Sequence, residues 1–287
     1  MTALAYAACV ILSVFQSSLV KIGGRSKNPA MFNINKAMSA SLMFLAVGLI
    51  KGFFPINTPT LLFGLAFGGF FSLSMWAGLI ALSSGPLALT STIVSFSLII
   101  PVAYGIIGGE SVTWLMLVGF ALLACSFVFI NYKKSNQKAN LKWFIFSLLT
   151  LISDGCCAVV KKMHQDVFKE CENHYQAEIM FVALSTVSVI FITVYVIRYM
   201  KGKQPKNTKI IDWRGIVCGL ANGGSSYFSL YLVAVENVSV QAPVLAALTA
   251  TAALATGKII FREKLKPLQL IGFVLGVTAV VLLKLKV

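Results

Sequence analysis

The chain has 287 residues, 58% of them hydrophobic and only 11% charged, with a mean hydropathy of +0.86. So few polar side chains cannot cover a soluble globule, so lipid is the expected solvent. The net charge of +15 could suggest a nucleic-acid partner, but the 24 Lys and Arg sit between apolar runs and form no stripe with interleaved aromatics. Loop charges that fix membrane orientation account for them, and no nucleic acid is expected.

Taken in order, the sequence predicts ten apolar spans, each near the roughly 20 residues that cross a bilayer core. They are Ala3 to Ile22, Phe32 to Ile50, Thr60 to Leu82, Leu87 to Ile107, Val112 to Asn131, Leu141 to Met163, Gln176 to Tyr199, Ile211 to Val235, Ser239 to Phe261 and Pro267 to Leu285. Met1 to Val20 has no basic leading segment, and Gln16, Ser17 and Ser18 interrupt the place of a signal-peptide core, so an uncleaved first helix is expected. Ser83, Ser84, Gly85 and Pro86 separate the third span from the fourth, and Glu236, Asn237 and Val238 separate the eighth from the ninth. The runs lack period-two alternation, which points to an all-α membrane protein and not a barrel. Five of the six cysteines lie in apolar runs and only Cys171 in a polar loop, with no disulfide or zinc spacing.

The chain repeats itself. Ile106, Ile107, Glu110, Leu115, Leu117, Gly119, Phe120 and Leu122 recur 153 positions later as Ile259, Ile260, Glu263, Leu268, Leu270, Gly272, Phe273 and Leu275. Ser13 to Lys21 lies over Ser153 to Lys161 at an offset of 140. The organisation expected is a first five-helix repeat over 1–131, a basic connection over 132–140 and a second five-helix repeat over 141–287. An odd number of spans per repeat makes the second enter the membrane in the opposite sense, giving inverted repeats. Small residues four apart, Gly215, Gly219 and Gly223 in the eighth span, Gly64, Gly68 and Ser72 in the third and Gly272 with Gly276 in the tenth, predict close helix packing. For the last pair, packing inside the chain and a homodimer contact are both open to the sequence.

These features resemble the drug/metabolite transporter superfamily, in its EamA-type ten-helix branch. The pieces that carry the resemblance are Gly108, Gly109 and Glu110 with Gly119, and Arg262, Glu263, Lys264 and Leu265 with Gly272. Pro86, Leu87 and Ala88, and Gln241, Ala242 and Pro243, fit more loosely. The resemblance covers essentially the whole chain and implies a secondary transporter with a central cavity, working by alternating access. It also implies that Glu110 and Glu263 cap or orient the helix that follows each of them, and that both termini lie inside. The charge pattern says otherwise. Of the 24 Lys and Arg, 18 lie in or beside the connections after spans one, three, five, seven and nine, which puts those in the cytoplasm and both termini outside.

Asp154 is the acidic residue deepest in a span, and a carboxylate there should face the bundle interior or water. It could couple protons or balance a cationic group of a substrate; an internal pair with Lys161, seven residues on, is the plainer reading. Lys36 and Glu178 open the second and seventh spans at matching places, either as a cavity-lining pair that reads carboxylate and amine or as interfacial charges that reach for water. Asn222, Ser225, Ser226 and Ser229 form a polar stripe in the eighth span, with Tyr227 and Tyr231 beside it; such groups need a facing helix or a watered cavity. Gln16 with Ser13 and Ser17 repeats the spacing in the first span, as do Thr90, Ser91 and Ser95 in the fourth. Trp76 and Tyr104 could stack on a substrate or simply pack. The loop with His164, Asp166, Glu170, Cys171, Glu172 and His174 matches no metal spacing and is expected to be solvated.

The substrate-binding or coupling candidates are therefore Asp154, Lys36, Asn222, Ser225, Ser226, Tyr227, Gln16, Trp76, Thr90 and Glu178. The expected function is alternating-access transport of a small organic metabolite, an amino acid or related compound, with proton coupling open to it, in a plasma membrane of the bacterial inner type. The bilayer is its other partner, and neither cofactor nor metal is called for. A non-transporting membrane sensor or subunit is the alternative. A membrane-embedded enzyme would need converging nucleophile, base or metal ligands inside the spans, and only Asp154 is there.

Overall fold

In the computed structural model the described residues are 2–23, 29–52, 56–84, 90, 93–110, 113–131, 140–170, 175–202, 211–259 and 267–284. They form α1 (Thr2–Gly23), α2 (Pro29–Ile50), α3 (Thr58–Ser84), α4 (Ile99–Ile107, entered through a 3-10 turn at Phe96–Leu98), α5 (Trp114–Asn131), α6 (Leu141–Val167), α7 (Gln176–Met200), α8 (Trp213–Val235), α9 (Val238–Ile259) and α10 (Pro267–Lys284), with no strand among the described residues. Lipid supplies no partner for backbone groups, so each apolar run closes its hydrogen bonds within itself as a helix. Six helices, α1, α2, α3, α6, α7 and α8, are long and apolar enough to cross a membrane; the apolar stretches described in α4, α5, α9 and α10 are shorter.

Polar side chains just ahead of the helices accept the first orphan N–H groups. The Asn57 amide oxygen receives Thr60 N at 2.8 Å, the Thr113 hydroxyl Met116 N at 3.3 Å, the Asn140 oxygen Trp143 N at 2.7 Å and the Asp212 carboxylate Arg214 N at 3.0 Å. The start of α9 is different. Val238 N and Ser239 N donate to the two carboxylate oxygens of Glu110, at 3.1 and 2.9 Å. Glu110 thus caps a helix 128 residues away and not the one that follows it, whose cap is Thr113. The turn that aims it passes through Gly109 at φ +88°, a left-handed conformation in which a side chain would be strained. Glu263, its counterpart, lies outside the described residues with Arg262, Lys264 and Leu265.

The chain divides into two compact units, Met1–Ser72 with Met163–Ala234, and Leu73–Lys162 with Val235–Val287. Each draws on both sequence repeats, so compactness does not follow the division at 132–140.

In the first unit α2 packs on α7, with the Ser41 and Ser185 hydroxyls 2.7 Å apart. The glycine stripe of α8 lies on α2: Cβ atoms at Gly215, Gly219 and Gly223 would meet Phe32, Lys36 with Ser39, and Met43. Contact positions rise together along both helices, so α8 runs parallel to α2. Gly64 and Gly68 of α3 meet Val182 and Ala183 of α7 in the same rising order. The connection between α2 and α3 is far too short to return along a helix of roughly 33 Å, so those two are antiparallel, and α7 runs against α2.

In the second unit α5 packs on α10, and here the opposition is direct. Gly119 lies against Ala279 and Leu283, while Gly272 lies against Phe129 and Ile130 and its carbonyl receives the Ser126 hydroxyl at 2.7 Å. Gly272, Ala279 and Leu283 are the residues 153 positions after Gly119, Ser126 and Ile130. Each glycine therefore meets the equivalents of the residues that meet its mate, the pattern of an isologous two-fold contact. α4 also packs on α9. The Gly272 and Gly276 face is covered by α5 of the same chain.

Candidate functional site

In the first unit a polar seam joins α1, α2 and α8. The Ser13 and Ser225 hydroxyls are 2.6 Å apart, the Cys9 thiol donates to Ser225 O at 3.3 Å, and the Cys218 thiol reaches the Gln16 carbonyl at 3.7 Å. Gln16 thus enters through its backbone. Ser39 of α2 donates to Asn35 O and to Ile216 O of α8, at 2.8 and 3.0 Å, which ties the two backbones together beside Lys36. Lys36 is only 7% exposed and Asn222 and Ser225 are buried; Ser226 and Tyr227 are partly exposed. Cys218 is the titratable group within electrostatic reach of Lys36, and no carboxylate among the described residues pairs with its ammonium. Tyr227 accepts from Lys51 Nζ at 2.6 Å near the far end of α2.

The pairing of Lys36 with Glu178 is not formed. Glu178 is buried, 2% exposed, in the first turn of α7. Because α7 runs against α2 with Ser185 beside Ser41, the two charges lie near opposite ends of the helix pair, roughly 18 Å apart at 1.5 Å per residue. Nor does Lys36 reach out to an interface, because the absence of side chains at Gly215 and Gly219 lets α8 close over that face.

In the second unit α3 and α6 run antiparallel, with Gly78 against Thr150 and Ser74 against Asp154. The Ser74 hydroxyl donates to Asp154 Oδ1 at 2.5 Å, and Lys161 lies within electrostatic reach of the same carboxylate. Asp154 is therefore answered from within the unit by a neutral donor and a cation. Trp76 is 49% exposed and meets Phe146 edge-on at 5.5 Å, so its ring packs on α6. Thr90 is buried and its hydroxyl accepts from Trp143 Nε1 at 2.7 Å. Ser91 lies outside the described residues.

A further expectation is overturned. His164 was expected in a solvated loop, but α6 continues through Val167 and His164 is fully buried in the first unit. Its Nε2 lies 3.2 Å from the Thr60 hydroxyl and its Nδ1 3.1 Å from Gln165 Nε2, with Phe63 and Phe168 against the ring. Met163, Val167 and Phe168 carry the apolar periodicity past the last residue a 20-residue span requires, and that was the signal for the longer helix. Cys171, Glu172 and His174 lie outside the described residues, and no group of metal ligands forms among those that are described.

Residues 167–285 match the model of the EamA-like transporter family. The chain carries an EamA-like transporter domain. Together with the six helices long and apolar enough to cross a membrane, the match marks a multi-pass membrane protein. A solved protein crystal structure matches it with a TM-score of 0.80 over 99% of this chain and 96% of that one, at 12% identity, which establishes a shared fold alone. No curated protein matches the sequence.

Proposed function

We propose that this EamA-like protein is a secondary transporter of a small organic metabolite, an amino acid or a close relative, working by alternating access through ten membrane helices arranged as two inverted five-helix repeats. The observation that carries the reading is the packing of repeat mates in opposite directions, α2 against α7 and α5 on α10 through equivalent residues. Two copies of one helix set, inserted in opposite senses, can exchange roles and so offer two packings of similar energy, open to opposite sides. The polar seam of α1, α2 and α8 supplies hydrogen-bonding groups inside an apolar bundle, where a solute could exchange water for protein partners. Asp154, half-buried beside Ser74, is the coupling candidate for protons. The short connections suit a bacterial plasma membrane.

Reconstitution into liposomes tests this. Labelled amino acids, amines and organic acids outside vesicles loaded with the unlabelled compound should show saturable exchange for one class. Asp154→Asn should retain exchange while losing acceleration by an imposed proton gradient. Binding without exchange would favour a sensor, and no binding from any class would remove the metabolite-carrier reading.

A further inference from the structure

Two buried ionisable groups of the first unit stand out among the described residues: Glu178, whose Oε2 has no hydrogen-bond partner, and Lys36, which no carboxylate answers. The Lys36 backbone is held rigidly: the carbonyl sits where a Cβ on Gly219 would be, and Ser39 ties the neighbouring turn to Ile216 of α8. The side chain is more than nine-tenths buried. Cys218 lies within its electrostatic reach and in turn meets the Gln16 carbonyl, Ser39 Oγ lies 3.2 Å from the Lys36 carbonyl, and Asn222 is buried one turn along α8 from Cys218. These are neutral donors and acceptors, and Cys218 already directs its thiol toward the Gln16 carbonyl. The acidic residues described in this unit are Asp166, Glu170, Glu178 and Asp212, and none of them pairs with Lys36. Asp212 is engaged at the start of α8, and Glu178 lies at the other end of the α2 and α7 pair.

A buried ammonium without a counter-charge is expensive, and intramembrane cations are retained where they meet a partner or a transported group. We propose that Lys36 is the counter-ion for an oxyanion of the substrate, a carboxylate, in a site completed by the neutral polar groups of α1 and α8. This rests on the carrier reading and narrows it: the transported compound bears a carboxylate, and a compound that offers only an amine or a hydroxyl is not taken. The ammonium gives charge-assisted hydrogen bonds to the carboxylate, while Asn222 and the serines remain for the rest of the molecule. Anchored between two glycine-packed helices, the lysine needs little further ordering when the anion arrives.

The test is a thermal-shift series on the full chain in detergent, using free amino acids and short mono- and dicarboxylates, each beside its neutral amide, with inorganic phosphate and phosphatidylglycerol as separate probes. Wild type should be stabilised by one or more carboxylates and not by the matching amides. Lys36→Gln should weaken that binding by about ten- to a hundredfold, the loss of one charge-assisted hydrogen bond. Lys36→Arg should keep a measurable part of it, and both variants should elute as folded protein. Stabilisation equal for acid and amide, or unchanged in Lys36→Gln, overturns the assignment. So does a Lys36-dependent response confined to phosphate or to the anionic lipid. If a neutral or cationic compound is exchanged by reconstituted protein while no carboxylate binds, the role of Lys36 fails and the carrier stands. If nothing binds or exchanges, both fail.

Discussion

Lys36 and Asp154 are both ionisable, both largely enclosed by helices, and answered in different ways. Asp154 has a hydroxyl donor in Ser74 and a cation in Lys161, so its unit satisfies it internally. Lys36 has the Cys218 thiol within electrostatic reach and no carboxylate partner among the described residues. The contrast teaches that burial alone does not mark a binding residue. What distinguishes the two is whether the protein completes the electrostatics by itself, and of this pair it is Lys36 whose completing charge is left to come from elsewhere.

The hardest test of the comparison is to force apart the helices that enclose Lys36. Gly219→Val places a side chain on Ser39 Oγ and the Lys36 carbonyl and should cost about 3 kcal/mol, read as a fall in melting temperature. Gly69→Ala, where a Cβ meets nothing within 4 Å, should leave the melting temperature unchanged or higher. Next comes the internally satisfied charge. Asp154→Leu takes away the acceptor of Ser74 and the charge facing Lys161, and should lower stability by about 2 kcal/mol. Lys36→Met has the opposite sign: replacing an unanswered buried ammonium by an apolar chain of similar length should raise stability by about 1 kcal/mol while abolishing carboxylate binding. A Lys36→Met protein as destabilised as Asp154→Leu would erase the distinction. The smallest effect is expected at Glu110→Ala, which uncaps α9 and should cost about 1 kcal/mol.

Much of this was legible in the sequence because lipid removes choices. The apolar runs and their breaks placed the helices among the described residues within a few residues, apart from the start of α4, which was expected at Leu87 and is described from Ile99, and the stripe at Gly215, Gly219 and Gly223 announced a close contact before its partner, α2, was known. Asn57, Thr113, Asn140 and Asp212 stand where local capping rules expect them. Partnerships between distant helices were not legible. Nothing local says that Glu110 caps α9, that Ser74 serves Asp154, or that Ser13 and Cys9 meet Ser225, since each depends on the offset between antiparallel helices. The same offset separates Lys36 from Glu178, which matching positions in the two repeats had suggested as a pair. Thr90 and Trp76 had the right chemistry for a site, yet meet Trp143 and Phe146 instead.

The central claim is that the second repeat enters the membrane in the opposite sense to the first. Sidedness of three reporters, at each terminus and in the 132–140 connection, tests it most directly in intact cells. The account predicts both termini on one face and the connection on the other, with the charge pattern placing the connection in the cytoplasm. A connection on the same face as the termini would mean an even number of crossings in the first repeat, and would contradict inverted repeats outright.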